Sequence, residues 1–194
     1  MYSRNELYIS AEEQQKISEC RLLLAGIGLG SNIAECALRL GFENIHLIDG
    51  DVIEKSNLNR QNYTFADIGK SKAENLCERL LSINPRANIK YDIVFLEENN
   101  LNHFLKDVDI AINPMDFTSE APFAFDDYFV KQGIPVLHPY NWGWAGFVCV
   151  VNNCRLSMKT LKKDLLPTEL EMGKYIAGDL TFWGKDEEWF TELV

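Results

Sequence analysis

The fold is decided by residues 22–51, LLLAGIGLGSNIAECALRLGFENIHLIDGD. This stretch predicts in succession a buried parallel strand, a tight glycine-rich turn, a helix and a second strand, over residues 22–25, 26–31, 32–40 and 45–48. The second strand ends on Asp49, which lies 19 residues after Gly30. An acidic residue about 20 positions after such a turn typically binds a ribose hydroxyl. The stretch therefore predicts a nucleotide-binding α/β unit.

The glycines of the turn act through backbone geometry. Without a Cβ, Gly28 and Gly30 let the backbone approach a phosphate closely, and the helix that follows offers N–H groups and a partial positive charge. Their spacing is irregular, because no alignment of the turn gives a complete G-x-G-x-x-G fingerprint. The turn alone is therefore also compatible with a strand-to-helix connection that binds nothing.

Side chains suited to phosphate follow the second strand. Asn57, Arg60 and Gln61 come shortly after it, and Lys72 lies where the next helical pattern begins. Arginine offers a planar fork of donors and lysine a compact charge, and these are complementary ways to hold polyphosphate oxygens. An ordinary dinucleotide domain has no use for this set, which therefore favours phosphate chemistry.

Short motifs continue in a fixed order along the chain: YSR at 2–4, GLGS at 28–31, LIDGD at 47–51, SNLNRQ at 56–61, GKSK at 69–72, INP at 83–85 and DIAINPMD at 109–116. In this order and spacing, residues 1–151 resemble the ThiF/MoeB/HesA adenylyltransferases, whose fold is shared with the activating enzymes of ubiquitin-like proteins. The resemblance implies a Rossmann-like, doubly wound α/β fold. We expect a mainly parallel sheet with helices on both faces and antiparallel strands near the C-terminal part.

The resemblance also implies which residues bind ATP: Gly28, Gly30, Asp49, Asp51, Asn57, Arg60, Gln61 and Lys72. Among them, Asp49 would hold the ribose, and Asn57, Arg60 and Lys72 would hold the triphosphate. Asp116 would face a magnesium ion. Arg4 would be lent across a homodimer interface to the ATP of the partner, so that the catalytic set is Arg4, Arg60, Lys72 and Asp116.

In the family, the C-terminal carboxylate of a small protein or peptide attacks the α-phosphorus of ATP and gives an acyl-adenylate and pyrophosphate. The implied partner is therefore a ubiquitin-like or sulfur-carrier protein, or a peptide, with a free C-terminus. Negative charge builds on the α-phosphoryl oxygens and on the departing pyrophosphate in this step. Preplaced cations and a metal ion lower that barrier without a protein nucleophile.

The sequence departs from the family at two kinds of position. Asn113 stands where the family often has an aspartate, three residues before Asp116. The five cysteines, at 20, 36, 77, 149 and 154, have no zinc-ligand spacing, so no structural zinc is predicted. We expect Cys36, in a helix, and Cys149, in an apolar strand, to pack in the core. Cys154 is the one loop-like candidate for a reactive thiol.

The second half of the core predicts the other wall of the site. A strand over residues 108–112 delivers Asp116 at its carboxyl end, where open α/β sheets bind ligands. Asp116 could instead cap the helix predicted over residues 122–132. Residues 138–146 predict a long aromatic loop that either walls a channel for a peptide tail or packs in a dimer interface. His138, in this loop, is expected to have a packing or capping role.

Composition predicts one α/β domain over residues 1–194, with a helical arm at 1–20, a nucleotide-binding core at 21–151 and an acidic, partner-binding or incomplete segment at 152–194. The net charge of -10 argues against general nucleic-acid binding. No apolar stretch approaches 18 residues and no signal peptide begins the chain, so a cytoplasmic location without membrane contact is expected.

Two other functions stay open from the sequence. An NAD(P)- or FAD-binding oxidoreductase would suit the turn and Asp49 but would leave the run from Asn57 to Gln61 without a purpose. A catalytically silent, nucleotide-binding partner of an activating enzyme would be expected to lose its phosphate-binding cations. Arg60 and Lys72 are retained, which favours the adenylating enzyme over both alternatives.

Overall fold

The computed structural model describes residues 1–104, 106–142, 145–152 and 158–161, with the side chains of residues 142, 145, 160 and 161 left aside. Its helices are α1 (Ala11–Glu19), α2 (Gly30–Leu40), α3 (Lys72–Ile83), α4 (Leu101–Phe104), α5 (Ala121–Val130) and α6 (Met158–Leu161). Its strands are β1 (Arg21–Ala25), β2 (Asn44–Ile48), β3 (Asn88–Asp92), β4 (Ile110–Ile112), β5 (Val136–Trp142) and β6 (Ala145–Val151). Short 3-10 helices span Ser3–Leu7, Lys55–Asn57 and Phe65–Asp67.

The strands form one six-stranded sheet in the order β3-β2-β1-β4-β5-β6. The first five strands are parallel to their neighbours, and β6 is antiparallel to β5. The chain runs outward from β1 to β3 on one side and then returns to place β4 on the other side of β1. This confirms the predicted doubly wound fold, and it puts a topological switch point between β1 and β4, where ligands bind in such sheets.

The centre of the sheet is buried on both faces, as expected for parallel strands connected by helices, whereas residues of the edge strands β3 and β6 are exposed. Successive residues of β1 alternate between two cores, with Leu22 and Leu24 in one and Leu23 and Ala25 in the other. The first core is completed by apolar residues of α2 and α3, and the second by those of α4, α5 and α6. Helices therefore cover both faces at the centre of the sheet, which leaves the ends of the central strands open to a ligand.

The predicted aromatic loop at 138–146 is wrong, because β5 and β6 extend through it. They pair antiparallel from Val136 opposite Val151 to Trp142 opposite Ala145. Pro139 lies within β5, although proline donates no ladder hydrogen bond. β4 pairs with β5 only as far as Leu137, so Pro139 lies beyond that pairing and breaks no bond to β4.

The acidic C-terminal segment lies almost wholly outside the described residues, so its predicted docking role stays a prediction. Cys154, the candidate reactive thiol, and Trp144, in the predicted aromatic loop, also lie outside the described residues, so their roles stay predictions. Among the residues that the structure describes, no helix has the length and apolar character needed to cross a bilayer.

Candidate nucleotide site

A cleft of about 720 Å³ opens at the carboxyl ends of the parallel strands. Its lining comes from the segments that follow β1, β2, β3 and β4, together with the end of β5. The cleft brings together seven of the predicted site residues, Gly28, Asp49, Asp51, Arg60, Gln61, Lys72 and Asp116. The structure thus gathers at one edge of the sheet groups that lie up to 88 positions apart in the chain.

The glycine turn after β1 is shaped by two close approaches. Gly26 has a φ of 93°, a conformation that side chains rarely tolerate, and a Cβ there would lie 3.2 Å from the side chain of Met115. A Cβ on Gly28 would lie 3.0 Å from Nε2 of Gln61. The turn is therefore packed between the segments that follow β2 and β4. The sequence predicted a tight turn that starts at Gly26, but it named only Gly28 and Gly30 of this turn as site residues.

Asp49 fastens the glycine turn to the end of β2. Its Oδ2 accepts a hydrogen bond from the Ile27 N–H at 2.8 Å, and its Oδ1 accepts one from the Asp51 N–H at 2.7 Å. Burial raises the pKa of Asp49, and these two backbone donors oppose that shift together with the nearby charge of Lys72. Each carboxylate oxygen still has a second lone pair, which is what a ribose hydroxyl needs.

Replacing Asp49 with asparagine removes one of these acceptors and turns an amide donor toward a backbone N–H. We expect Asp49→Asn to lower the free energy of unfolding by about 1–3 kcal/mol, because a buried donor is left without an acceptor. Asp92→Asn is a matched control at the end of β3, where a half-exposed carboxylate pairs with His46 at 2.7 Å. Its expected cost is below about 1 kcal/mol. Urea unfolding of both variants checks this, and equal costs would contradict the role given to Asp49.

Lys72 reaches the cleft because the loop between β2 and α3 closes on itself. Val52 and Ser71 form an antiparallel bridge, and the Lys72 N–H donates to the Asp51 carbonyl at 3.0 Å. The side chains repeat the pairing, with Nζ of Lys72 2.8 Å from Oδ2 of Asp51. The Lys72 side chain is only 8% exposed and that of Asp51 is 53% exposed. A nearly buried ammonium is thus held at the first turn of α3 and faces the cleft.

Arg60 and Gln61 line the cleft on the same loop. Nη1 of the exposed Arg60 donates to the Ser56 carbonyl at 3.1 Å and to Oδ1 of Asn59 at 3.0 Å, which fixes the guanidinium. Oε1 of Gln61 is buried and has no hydrogen-bond partner among the described residues. A buried acceptor without a donor is costly, so a ligand in the cleft that donates to it would be favoured.

Asp116 is exposed and lines the cleft after β4. It does not cap the following helix, because the N-cap position of α5 is Glu120. Among the described residues no cluster of three or more histidine, cysteine or acidic side chains could enclose a metal ion. Magnesium in phosphate-transfer sites takes one or two carboxylates and completes its shell with substrate phosphates and water. The single carboxylate of Asp116, with the acids at 49 and 51 on the same cleft, fits that mode.

Three predicted site residues lie away from the cleft lining. Gly30 begins α2, and a Cβ there would lie 3.3 Å from Pro114, so this glycine lets helix and β4 segment pack closely. Asn57 is 8% exposed, and its Oδ1 accepts the Glu54 N–H at 2.9 Å. Arg4 lies in the first 3-10 helix and is exposed. Their contacts with a nucleotide stay predictions.

The sequence missed an apolar wall of the cleft. Val94, Phe95 and Leu96 follow β3 and line the cleft, although the apolar pattern of residues 89–95 predicts a strand that continues to Phe95. The ring of Phe95 lies over Gly50, whose Cβ would come within 2.6 Å of it. The missed signal is topological: β3 is parallel to β2, so the residues after it must meet the same edge of the sheet.

Burial raises the pKa of three of the described cysteines. Cys149 is buried in β6, as predicted, and burial raises its pKa to about 11. Burial also raises the pKa of Cys20 and of Cys77. The expectation that Cys36 packs in the core is wrong, because it lies on the solvent side of α2. Lying within a helix does not by itself bury a residue. Because α2 packs on the sheet along one face only, a residue outside that face, such as Cys36, is exposed.

A comparison with protein-family models matches residues 2–171 to the ThiF family. The chain belongs to the ThiF family. The match spans the whole described sheet and confirms the family resemblance drawn from the motifs of the sequence.

Relatives of this ThiF-family chain include the sulfur carrier protein ThiS adenylyltransferase of Bacillus subtilis, 34% identical over 143 residues, which are 71% of this chain and 42% of the relative. SUMO-activating enzyme subunit 2 of Dictyostelium discoideum is 31% identical over 140 residues, 70% of this chain and 21% of that protein. A solved structure of the E. coli tRNA N6-threonylcarbamoyladenosine dehydratase TcdA, in complex with ATP, superposes with a TM-score of 0.67 at 26% identity. It covers 71% of this chain and 57% of TcdA. The chain thus spans less than half the length of these two curated relatives.

Proposed function

We propose that this chain is an ATP-dependent adenylyltransferase, which activates the C-terminal carboxylate of a small protein or peptide as an acyl-adenylate and releases pyrophosphate. The observation that carries the proposal is the convergence of Asp49, Arg60, Lys72 and Asp116 on one cleft at the switch point of the sheet. A ribose-binding acid, two fixed cations and a metal-binding carboxylate are the groups that this reaction requires.

The different depths of Lys72 and Arg60 in the cleft support their assignment as the groups that hold the triphosphate. Lys72 is nearly buried and Arg60 is exposed, so an elongated anion would meet one cation inside the cleft and the other near solvent. The glycine turn and the beginning of α2 add backbone N–H groups and the positive end of the helix dipole. Magnesium, held by Asp116 and phosphate oxygens, would neutralise charge that develops on the departing pyrophosphate.

The relatives support the choice of a small carrier as substrate. One is named for the sulfur carrier ThiS and another for SUMO. We infer that this chain acts on a ubiquitin-like or sulfur-carrier protein, or on a peptide, with a free C-terminus. Tyr140 and Asn141, at the end of β5, line the cleft on the side away from Asp49, where an incoming tail could reach the α-phosphorus.

The placement of Arg4 supports the proposed homodimer. The Tyr2 hydroxyl accepts a hydrogen bond from Asn84 at 3.1 Å, and Asn5 donates to the Leu40 carbonyl at 2.9 Å. These contacts lie at the carboxyl ends of α3 and α2, whose amino ends face the cleft. At 1.5 Å per residue, the twelve residues of α3 span about 18 Å, which is longer than an arginine side chain. Arg4 therefore meets a nucleotide most directly in the cleft of a second copy.

Apolar side chains around Arg4 are consistent with an interface. Met1, Leu7 and Tyr8 are 71%, 80% and 87% exposed in the single chain. Large apolar groups exposed together on one segment are typical of protein–protein contact surfaces. A cytoplasmic location for the resulting dimer stays a prediction from the sequence.

The proposal is tested by ATP–pyrophosphate exchange with purified protein and candidate carriers that end in glycine. We expect exchange that depends on the carrier, and losses of about 100-fold in Asp116→Ala and Arg60→Ala. Arg39→Ala is the matched control, because Arg39 is exposed on α2 and pairs with Glu35 at 2.8 Å, away from the cleft. Calorimetry with ATP and with NAD provides the second measurement. Tight binding of NAD without binding of ATP would overturn the proposal in favour of an oxidoreductase.

A further inference from the structure

A buried polar network lies beneath the turn that carries Asp116. It consists of Asn113, Asp126 and His138, which are 2%, 5% and 1% exposed. Nδ2 of Asn113 donates to Oδ1 of Asp126 at 2.9 Å and to the Pro122 carbonyl at 3.0 Å. Nε2 of His138 lies 2.9 Å from each carboxylate oxygen of Asp126. We assign the proton to this ring nitrogen, because it faces a group that only accepts.

The network holds the Asp116 turn from both sides. On one side, the Asn113 N–H donates to the Leu137 carbonyl at 2.8 Å, and its Oδ1 accepts the Met115 N–H at 3.4 Å. On the other side, the ring of Phe117 stacks on His138, with centroids 5.9 Å apart and an interplanar angle of 17°. Asp116 therefore lies between two residues that each contact the network.

The chemistry of the network accounts for asparagine at position 113. A buried carboxylate needs hydrogen-bond donors, and Asp126 receives one from Asn113 and one from His138. An aspartate at 113 would remove a donor and bring a second carboxylate to the same contact. The side-chain amide of Asn113 thus donates its hydrogen bonds to groups of the protein itself, and the residue acts by holding its neighbours in place.

We propose that Asn113, Asp126 and His138 are positioning residues that fix Asp116 for magnesium in the ATP complex. This inference rests on the proposed function. Groups that support a metal ligand from behind typically change metal affinity about 10- to 100-fold when removed. The network should therefore set the magnesium requirement of the reaction more than the affinity for the nucleotide itself.

Asn113→Leu tests the proposal, because leucine keeps the branched shape of the side chain and removes its polar contacts, while the backbone bond to Leu137 stays. We expect the magnesium concentration at half-maximal exchange to rise at least about tenfold. The dissociation constant of ATP, measured by calorimetry in EDTA, should stay within about twofold, because the groups that hold ATP are unchanged. Asn44→Leu is the matched control: Asn44 makes two side-chain hydrogen bonds, with Ser18 and Asn88, at the opposite edge of the sheet. It should leave the magnesium requirement unchanged.

A double variant in which the amide and the carboxylate change places, called the reversed pair, separates a positioning role from simple damage to the core. Asn113→Asp alone should raise the magnesium requirement. Asn113→Asp combined with Asp126→Asn restores a donor opposite an acceptor and should recover part of the loss, because the Pro122 carbonyl still lacks its donor. Should Asn113→Leu fail to fold, the reversed pair decides. An unchanged magnesium requirement in Asn113→Leu, or no recovery in the reversed pair, overturns the inference while wild-type exchange continues. Absence of ATP binding by the wild type would overturn the proposed function as well.

Discussion

Lys72→Met should lower ATP–pyrophosphate exchange about 100- to 1,000-fold, a loss of the size seen when one preplaced donor to a developing charge is removed. The Lys72 ammonium is held at the first turn of α3, almost out of solvent, where the low local dielectric strengthens its field. Methionine keeps most of the apolar stem and removes the charge. The carboxylate of Asp51, which loses its partner, is half exposed and remains solvated, so the fold should survive.

Lys70→Met is the matched control for this experiment. Lys70 lies two residues earlier, is 52% exposed and pairs with Asp67 at 3.0 Å outside the cleft. An exposed pair of this kind contributes little to stability, so exchange should stay within about twofold of the wild type. Circular dichroism and thermal unfolding verify that both variants fold. Equal losses in the two variants would show that the charge at position 72 has no special place in the reaction.

Equal amounts of inactive Arg4→Ala and inactive Lys72→Met protein should regain activity when mixed. Each chain then supplies what the other lacks: the cleft of the Arg4→Ala chain keeps Lys72 and receives Arg4 from the Lys72→Met chain. Random exchange makes half of the dimers mixed, and each mixed dimer contains one complete site, so activity should return to about a quarter of the wild-type level. Either variant alone should stay at least about 100-fold below wild type.

The mixing experiment needs a control for the arginine. Arg86→Ala removes another exposed arginine near the carboxyl end of α3, and it should keep nearly full activity by itself. Light scattering gives the mass of each sample. Activity that fails to rise on mixing, although the samples are dimers that exchange subunits, would mean that Arg4 serves its own cleft or none.

The sequence predicted the sheet well where strands and helices alternate at short range. The helix predicted over residues 32–40 is α2, Gly30–Leu40, and it ends where Gly41 adopts a φ of 121°. The strand predicted over residues 89–95 ends at Asp92, because β2, which it pairs with, ends at Ile48. Hydrophobic periodicity indicates which residues of a segment are apolar, but it does not indicate how long the strand is that pairs with the segment.

The candidate site could be predicted where its residues follow one another closely, from Asp49 to Lys72. The network of Asn113, Asp126 and His138 could not, because an asparagine, a helical aspartate and a strand histidine carry no shared spacing. Only the packing of α5 against β4 and β5 brings them together. Side chains that meet across elements therefore need the fold itself to be known.

The closed loop between Asp51 and Lys72 has a consequence for how the protein tolerates change. Both ends of the loop are fastened to each other, so its exposed residues outside the cleft lining can be altered without moving the ammonium of Lys72. Phe65, which is 74% exposed and lines no part of the cleft, is one of these residues. Because loop closure costs rise slowly with length, extra residues there should be accepted. This surface is a natural place for evolution, or for protein engineering, to attach a new recognition element beside an unchanged nucleotide site.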